Sequence, residues 1–403
     1  MSSSTIFSRS TTFILFLFIG LITNVQAVDF HVKRYGARAN GNSDDSQAIM
    51  KAWKDACSST KPSKIVIPGG RYVVDSMKFQ GPCLAPIHVQ VEGRLQAPTN
   101  IKKMRNDASW IVFQYINGLT VSGKGTFDGR GSLAWKQNQC ASSGKCGSLP
   151  ISLRFFSLNN SLIKDITSTD SKFFHMNVHN CRNVTLQNIN IDAPGDSPNT
   201  DGIHIGGSSG ITIHDARIKT GDDCVSIGDG SQQINVEKVT CGPGHGISIG
   251  SLGKYKNEKP VSGITVRDCT ITNTMFGVRI KTWPASTKGI ASNMQFENIV
   301  MDNVGTPILI DQQYCPYGTC HHQVPSRVQI SDVGFKNIRG TSTTQVAVKL
   351  VCSRGYPCKN VKLSNINLKY SGTNGTAISE CSNVKPAVVG RVVPPACTRA
   401  FAA

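Results

Sequence analysis

The chain has 403 residues, with 43 Lys and Arg against 25 Asp and Glu, a formal charge of +18, and 14 cysteines. It is long enough for a substantial core, and its basicity calls for an acidic partner: nucleic acid, an anionic membrane or an acidic polysaccharide. No helix-turn-helix, zinc-finger or RNA-binding signature and no long Lys/Arg run accompanies the charge, so nucleic acid is set aside as a partner.

At the start of the chain, Arg9 stands in a Ser/Thr-rich head, followed by the apolar run Phe13 to Ile22 and by Val25, Gln26 and Ala27 ahead of Asp29. That order predicts a secretory signal peptide over residues 1–27. The run is well short of the roughly 20 residues that span a bilayer, and no later segment is long enough, so no membrane association is expected. The mature chain, 28–403, then carries +17, because Arg9 is the only charge removed. It is expected to be a secreted, soluble monomer with one domain, and secretion favours polysaccharide as the acidic partner.

All the cysteines lie beyond residue 27, and an even number in an oxidising compartment predicts structural disulfides. Cys352 with Cys358 and Cys381 with Cys397 are short-range candidates. Cys315, Cys320, His321 and His322 offer a metal-ligand pattern, but a local disulfide beside two surface histidines is the expectation, with no metal or other cofactor. Asn159, Asn183 and Asn374 head glycosylation sequons.

One helix is expected near the start, capped by Asp44 or Asp45 and carrying Ala48, Ile49, Ala52, Trp53 and Ala56 at helical spacing. Beyond it the chain repeats itself. From residue 184 a phrase recurs in which two apolar residues alternate with others before a polar residue and an apolar or small one. Its members are Val184, Leu186, Asn188, Ile189; Ile211, Ile213, Asp215, Ala216; Ile234, Val236, Lys238, Val239; and Ile264, Val266, Asp268, Cys269. It returns as Met294, Phe296, Asn298, Ile299; Val328, Ile330, Asp332, Val333; and Val361, Leu363, Asn365, Ile366. Period-two alternation with a polar bend, at intervals of 23 to 34 residues, predicts a solenoid. The fold expected is all-β, a right-handed single-stranded parallel β-helix, with the early helix covering its first coil.

A second repeat carries the polar chemistry. Ile203 and Ile205 recur as Val225 and Ile227, then as Ile247 and Ile249, at an interval of 22, and again as Val278 and Ile280 and as Ile308 and Ile310. Two residues ahead of the first three pairs stand Asp201, Asp223 and His245. An interval of one coil stacks these about 4.8 Å apart on adjacent strands. Alternation turns His204, Ser226, Ser248 and Arg279 outward, with Lys281 on Arg279's face and Leu309 next in the column. Tyr314 follows shortly after. Such a groove suits hydrolysis of an anionic glycan. Inverting hydrolysis needs a carboxylic acid and a carboxylate roughly 6.5 to 9.5 Å apart, and crowding Asp201, Asp223 and the adjacent Asp222 keeps one of them protonated. Arg279 and Lys281 can hold a substrate carboxylate. Taken singly, each residue reads better as a turn, a polar corner ladder or a solvated strand face; their coincidence on neighbouring coils reverses that preference.

At these residues the sequence resembles the polygalacturonases, glycoside hydrolases that cut the homogalacturonan backbone of pectin. Four motifs match in order: Ser197, Pro198, Asn199, Thr200, Asp201, Gly202; Gly221, Asp222, Asp223, Cys224; Gly244, His245, Gly246; and Arg279, Ile280, Lys281. Similarity spans nearly the whole mature chain, including Tyr35, Gly36 and Ala37. The resemblance implies that Asp222 donates the proton while Asp201 and Asp223 hold and activate water, with His245 beside the acid. It implies substrate binding by Arg279, Lys281, Tyr314 and Asn199, a disulfide between Cys224 and Cys241, and no metal. The likeness is nearest to the plant exopolygalacturonases associated with pollen, through Trp283, Pro284 and the stretch Gly250 to Gly253. The expected substrate is polygalacturonate, cut from the chain end in the cell wall. Cys140 to Cys146 is the candidate loop for closing one end of the groove. Endo-attack, and a non-catalytic pectin-binding wall protein, remain the alternatives.

Overall fold

A computed structural model describes residues 27–100, 104, 108–137, 149–316, 318–321, 323–397 and 399–400. Residues 1–26 of the expected signal peptide and the Cys140 to Cys146 segment lie outside the described residues. Among the described residues, no helix is long and apolar enough to cross a membrane.

Short apolar stretches separated by residues that tolerate left-handed backbone cannot build long sheet ribbons; they build turns of a coil. The coil 203–219 shows the plan. Ile203–Gly206 joins a 12-stranded parallel sheet, and Ser209–His214 and Arg217–Lys219 join a 20-stranded one. Asp215, at φ +57°, makes the corner between the last two. The fold is the expected right-handed parallel β-helix, each coil stacked on the last with its partners in register. The inward column runs Met176, Ile203, Val225, Ile247, Val278, Ile308 and Val348, all fully buried. Leu153, Ile111 and Met77 continue the same buried column ahead of Met176, so the ladder is five strands longer than the sequence repeat showed.

The polar residue of the corner phrase is a left-handed bend throughout: Asn188, Asp215, Lys238, Asp268, Asn298 and Asn365 all have φ between +50° and +57°. Asn and Asp are enriched there because their short polar chains bond locally and tolerate this backbone. They also bond along the stack, Asn298 Nδ2 to Asp268 Oδ1 at 3.1 Å and Asn337 Nδ2 to Asn298 Oδ1 at 2.9 Å.

One phrase was misplaced. Met294 pairs with Val333, not Val328, so the member in that coil is Val333, Phe335, Asn337 and Ile338. Asp332 instead belongs to the preceding corner, where it accepts from Asn360 Nδ2 at 2.9 Å.

The expected helix is Ser46–Cys57, and its five apolar positions are buried. Trp53 meets Phe79 edge-on at 5.1 Å, the first ring of the interior stack Phe79, Phe113, Phe155, so the helix covers the first coil. Its capping differs from expectation. Asp45 holds the N-cap position but gives its oxygens to the backbone N–H groups of Arg38 and Ala39, while Asp44 accepts the N–H of Ser46 at 2.9 Å.

Among the described residues, five disulfides join Cys57 to Cys83, Cys224 to Cys241, Cys315 to Cys320, Cys352 to Cys358 and Cys381 to Cys397. The even cysteine count does not mean complete pairing, however. Cys181 and Cys269 are free and buried on separate coils, and burial pushes their thiols up to about 11 and about 12, so they behave as small apolar core residues. Asn159, Asn183 and Asn374 are all exposed.

Candidate active site

Residues 221 and 222 form a bend just before the strand Val225–Ile227, so strand alternation does not govern Asp222. The bend requires glycine at its start: a Cβ on Gly221 would lie 2.0 Å from the carbonyl oxygen of Ser197. Gly244, at φ +147°, lets the next coil pass under Asp222, whose carbonyl oxygen would be 2.7 Å from a Cβ there. Asp222 Oδ1 then accepts the N–H of Asp223 at 2.8 Å and faces His245 Nδ1 at 3.0 Å; Asn199 Nδ2 approaches Oδ2 at 3.4 Å.

Asp201 and Asp223 repeat one geometry on successive coils. Ser226 Oγ donates to Asp201 Oδ2 at 2.9 Å and Ser248 Oγ donates to Asp223 Oδ1 at 2.8 Å. Their charges are nevertheless set in opposite directions. Burial raises the Asp201 carboxyl well above the usual range, and repulsion from Asp222 and Asp223 adds to it. Burial also opposes charge on Asp223, but Arg279 and Lys281 outweigh it and hold that carboxyl well below the usual range. Arg279 Nη2 donates to Asp223 Oδ1 at 2.8 Å and Lys281 Nζ to Oδ2 at 2.7 Å. The aspartate pushed up is Asp201, by burial first and by crowding second.

Arg279 and Lys281 are 4% and 5% exposed, which excludes a solvated basic strand face. Arg279 also donates from Nε to Ser248 at 2.8 Å and lies 4.4 Å over the ring of Phe276. Lys281 sits 5.1 Å from the ring centre of Tyr314. His204, expected to face the groove, is held at Nδ1 by Ser226 at 2.8 Å, and burial, with His179 nearby, lowers it to about 4, so it is neutral near pH 7.

These groups surround a cleft of two unequal lobes, about 560 and about 230 Å³, that share Asn199, Asp222, Lys281, Tyr314 and Pro316. All three aspartates line the smaller lobe, and Asp222, 20% exposed at its side chain, also lines the larger. The convergence of the predicted residues is therefore observed.

Phe173, Phe174, Lys254, Trp283 and Pro316 also line the smaller lobe and have no role in the sequence reading, since nothing periodic marks them. Lys254 rides a loop pinned by Glu258, which accepts from the N–H groups of Gly253 and Tyr255, and its Nζ lies 5.1 Å over Trp283. Ser226 and Ser248, already expected on the groove face, each stand 25 residues after the aspartate they bond, a spacing that could have revealed that partnership.

Asp222, Asp223 and His245 bring ligand atoms within 4.8 Å of one another. A cation there would compete with Arg279 and Lys281 for the same Asp223 oxygens, so the donor set fits a metal poorly.

The profile described as glycosyl hydrolases family 28 matches residues 57–397. This chain belongs to glycosyl hydrolase family 28. It is 58% identical over 373 residues to an exopolygalacturonase of Arabidopsis thaliana, covering 92% of this chain and 83% of the relative. An exopolygalacturonase of Platanus acerifolia is 51% identical, over 91% and 96% of the two chains. Among solved structures, the fold matches an endo-xylogalacturonan hydrolase from Aspergillus tubingensis, with a TM-score of 0.78 at 24% identity over 90% and 98% of the chains. It also matches an exopolygalacturonase from Thermotoga maritima, with a TM-score of 0.72 at 18% identity over 91% and 89%. The family 28 chain is thus a glycoside hydrolase, and its cleft is where that chemistry has to be sought.

Proposed function

We propose that the protein is a secreted exopolygalacturonase that hydrolyses α-1,4-galacturonosyl linkages of polygalacturonate with inversion, as a monomer in the cell wall. The observation that carries this reading is three converging carboxylates and two buried cations at the junction of two unequal lobes. Asp222, the carboxyl that reaches both lobes, donates a proton to the glycosidic oxygen as the bond to the anomeric carbon breaks. Water between Asp201 and Asp223 attacks that carbon from the opposite face. Asp201 in its ionised form, made more basic by burial and by its carboxylate neighbours, takes the water's proton, while Asp223, held ionised by Arg279 and Lys281, orients the water. The unspent N–H donors of both cations, with Tyr314 and Asn199, bind the galacturonate carboxylate and ring.

The smaller lobe supports attack at the chain end. At about 230 Å³ it is below the roughly 300 Å³ of sites for drug-sized ligands, which suits one sugar ring, while the larger lobe has room for the rest of the chain. The relatives named exopolygalacturonase agree with this, and the disulfides suit an oxidising exterior. Sizing the early products of polygalacturonate digestion is the test. Galacturonate alone is expected; a spread of oligomers would establish endo-attack, and an unsaturated, ultraviolet-absorbing product would establish a lyase.

A further inference from the structure

Seven buried side-chain polar atoms lack a hydrogen-bond partner among the described residues, and three of these, Ser76 Oγ, Ser109 Oγ and Arg154 Nε, line a single cavity of about 270 Å³. Folded proteins satisfy the large majority of such groups, so a cluster of three points to a ligand. The cavity lies on the outward face of the 12-stranded sheet. Arg154 pairs in register with Asn177 and Asn177 with His204, which puts the cavity about 10 Å, two strand spacings, to the N-terminal side of the cleft.

Its chemistry is specific. Lys78 and Arg154 supply positive charge, and no Asp or Glu is among the described lining residues. Ser109, 4% exposed, is a buried part of the lining. Arg154 lies 5.2 Å over the ring of Phe156, which stacks on His179 at 5.8 Å and meets the exposed Tyr115 edge-on at 5.4 Å. Paired cations suit a carboxylate, hydroxyl groups suit ring hydroxyls, and an aromatic rim suits the apolar face of a sugar.

We propose that this cavity is a second binding site for an acidic sugar unit, distinct from the cleft in which the bond is cut. The site rests on its own residues; the choice of galacturonate as its occupant rests on the substrate reading above. Because the chain end fills the smaller lobe and the rest leaves through the larger one, this cavity takes a second stretch of polymer, and two points of attachment retain the protein on polymeric substrate far more strongly than either site alone allows.

The test compares Asp222→Asn with the triple variant Asp222→Asn, Lys78→Gln, Arg154→Gln in affinity electrophoresis through polygalacturonate, with polyglutamate as a second gel. Lys78→Gln, Arg154→Gln and, separately, Phe156→Leu are assayed for trigalacturonate turnover in the otherwise unchanged chain. The expected result is retention on polygalacturonate weakened about tenfold, none on polyglutamate, and turnover of trigalacturonate within twofold of the parent. Unchanged retention, or equal retention on polyglutamate, overturns the second site. So does a parallel loss of trigalacturonate turnover, which would place these residues in the cleft or in the fold's stability. If the parent turns over no trigalacturonate while retention still behaves as expected, the substrate reading fails and the site stands.

Discussion

Asp201 and Asp223 stand one coil apart, each accepting from a serine on the next, yet their removal should move stability in opposite directions. A carboxyl whose pKa is raised by folding contributes stability below its unfolded value and loses it as pH rises through the folded one. Asp201→Asn should therefore stabilise the chain at pH 7 by on the order of 1 kcal/mol, with Ser226 still bonded to the amide oxygen, and the gain should vanish near pH 4. Asp223, whose pKa is depressed, contributes stability above its unfolded value and loses it as pH falls. Asp223→Asn leaves two buried cations unneutralised and should cost about 3 to 5 kcal/mol at pH 7. Urea midpoints at the two pH values check both, and a shift of the same sign would refute the charge assignment. At Asp222 the expectation is kinetic. Asp222→Asn should keep affinity for oligogalacturonate while kcat falls by about 10²- to 10⁴-fold, as measured by binding and by reducing-end release. Comparable activity would remove Asp222 from the acid role.

At the scale of the coil, the inward ladder was legible because buried sheet positions repeat with period two and one coil later must meet their like. That is why a 22-residue interval located Asp201, Asp223 and His245 on neighbouring coils, just ahead of paired strands. The misplaced phrase at Val328 has an equally physical origin. Both corners of this face turn through left-handed Asn or Asp, Asn360 and Asn365 in a single strand for example, so a local phrase cannot tell one corner from the other. Only register between coils can. The pairing of Arg279 and Lys281 with Asp223 was illegible for a related reason: spacing assigns a face, not which neighbour a long side chain takes. The corners themselves are testable. Asn298 has φ +54° and bonds to Asp268 on one side and Asn337 on the other. Asn298→Ala should destabilise by about 1 to 2 kcal/mol through left-handed strain and lost bonds, and Asn298→Gly by less, because glycine removes the backbone part. Equal losses in thermal unfolding would show that the backbone conformation carries no cost there.

The whole molecule is basic well beyond its cleft. Arg279 and Lys281 are neutralised in part by Asp223, so most of the formal +18 acts from the surface, as a field that gathers a polyanion before any contact in the site. Fields of that kind are screened beyond about 10 Å at 0.1 M salt, whereas a buried ion pair is not. The kcat/KM for polygalacturonate should therefore fall severalfold from low salt to 0.3 M, and that for trigalacturonate much less, because a short substrate samples little of the surface. Lys362 and Lys369 are exposed on the larger sheet, on a strand that lines neither lobe of the cleft. Replacing both with Glu should lower kcat/KM for the polymer at low salt, leave it unchanged at 0.3 M, and leave trigalacturonate turnover alone at either. A loss that persists at high salt would mean that these lysines touch the chain directly, and equal salt slopes for polymer and trimer would confine the attraction to the cleft's own cations.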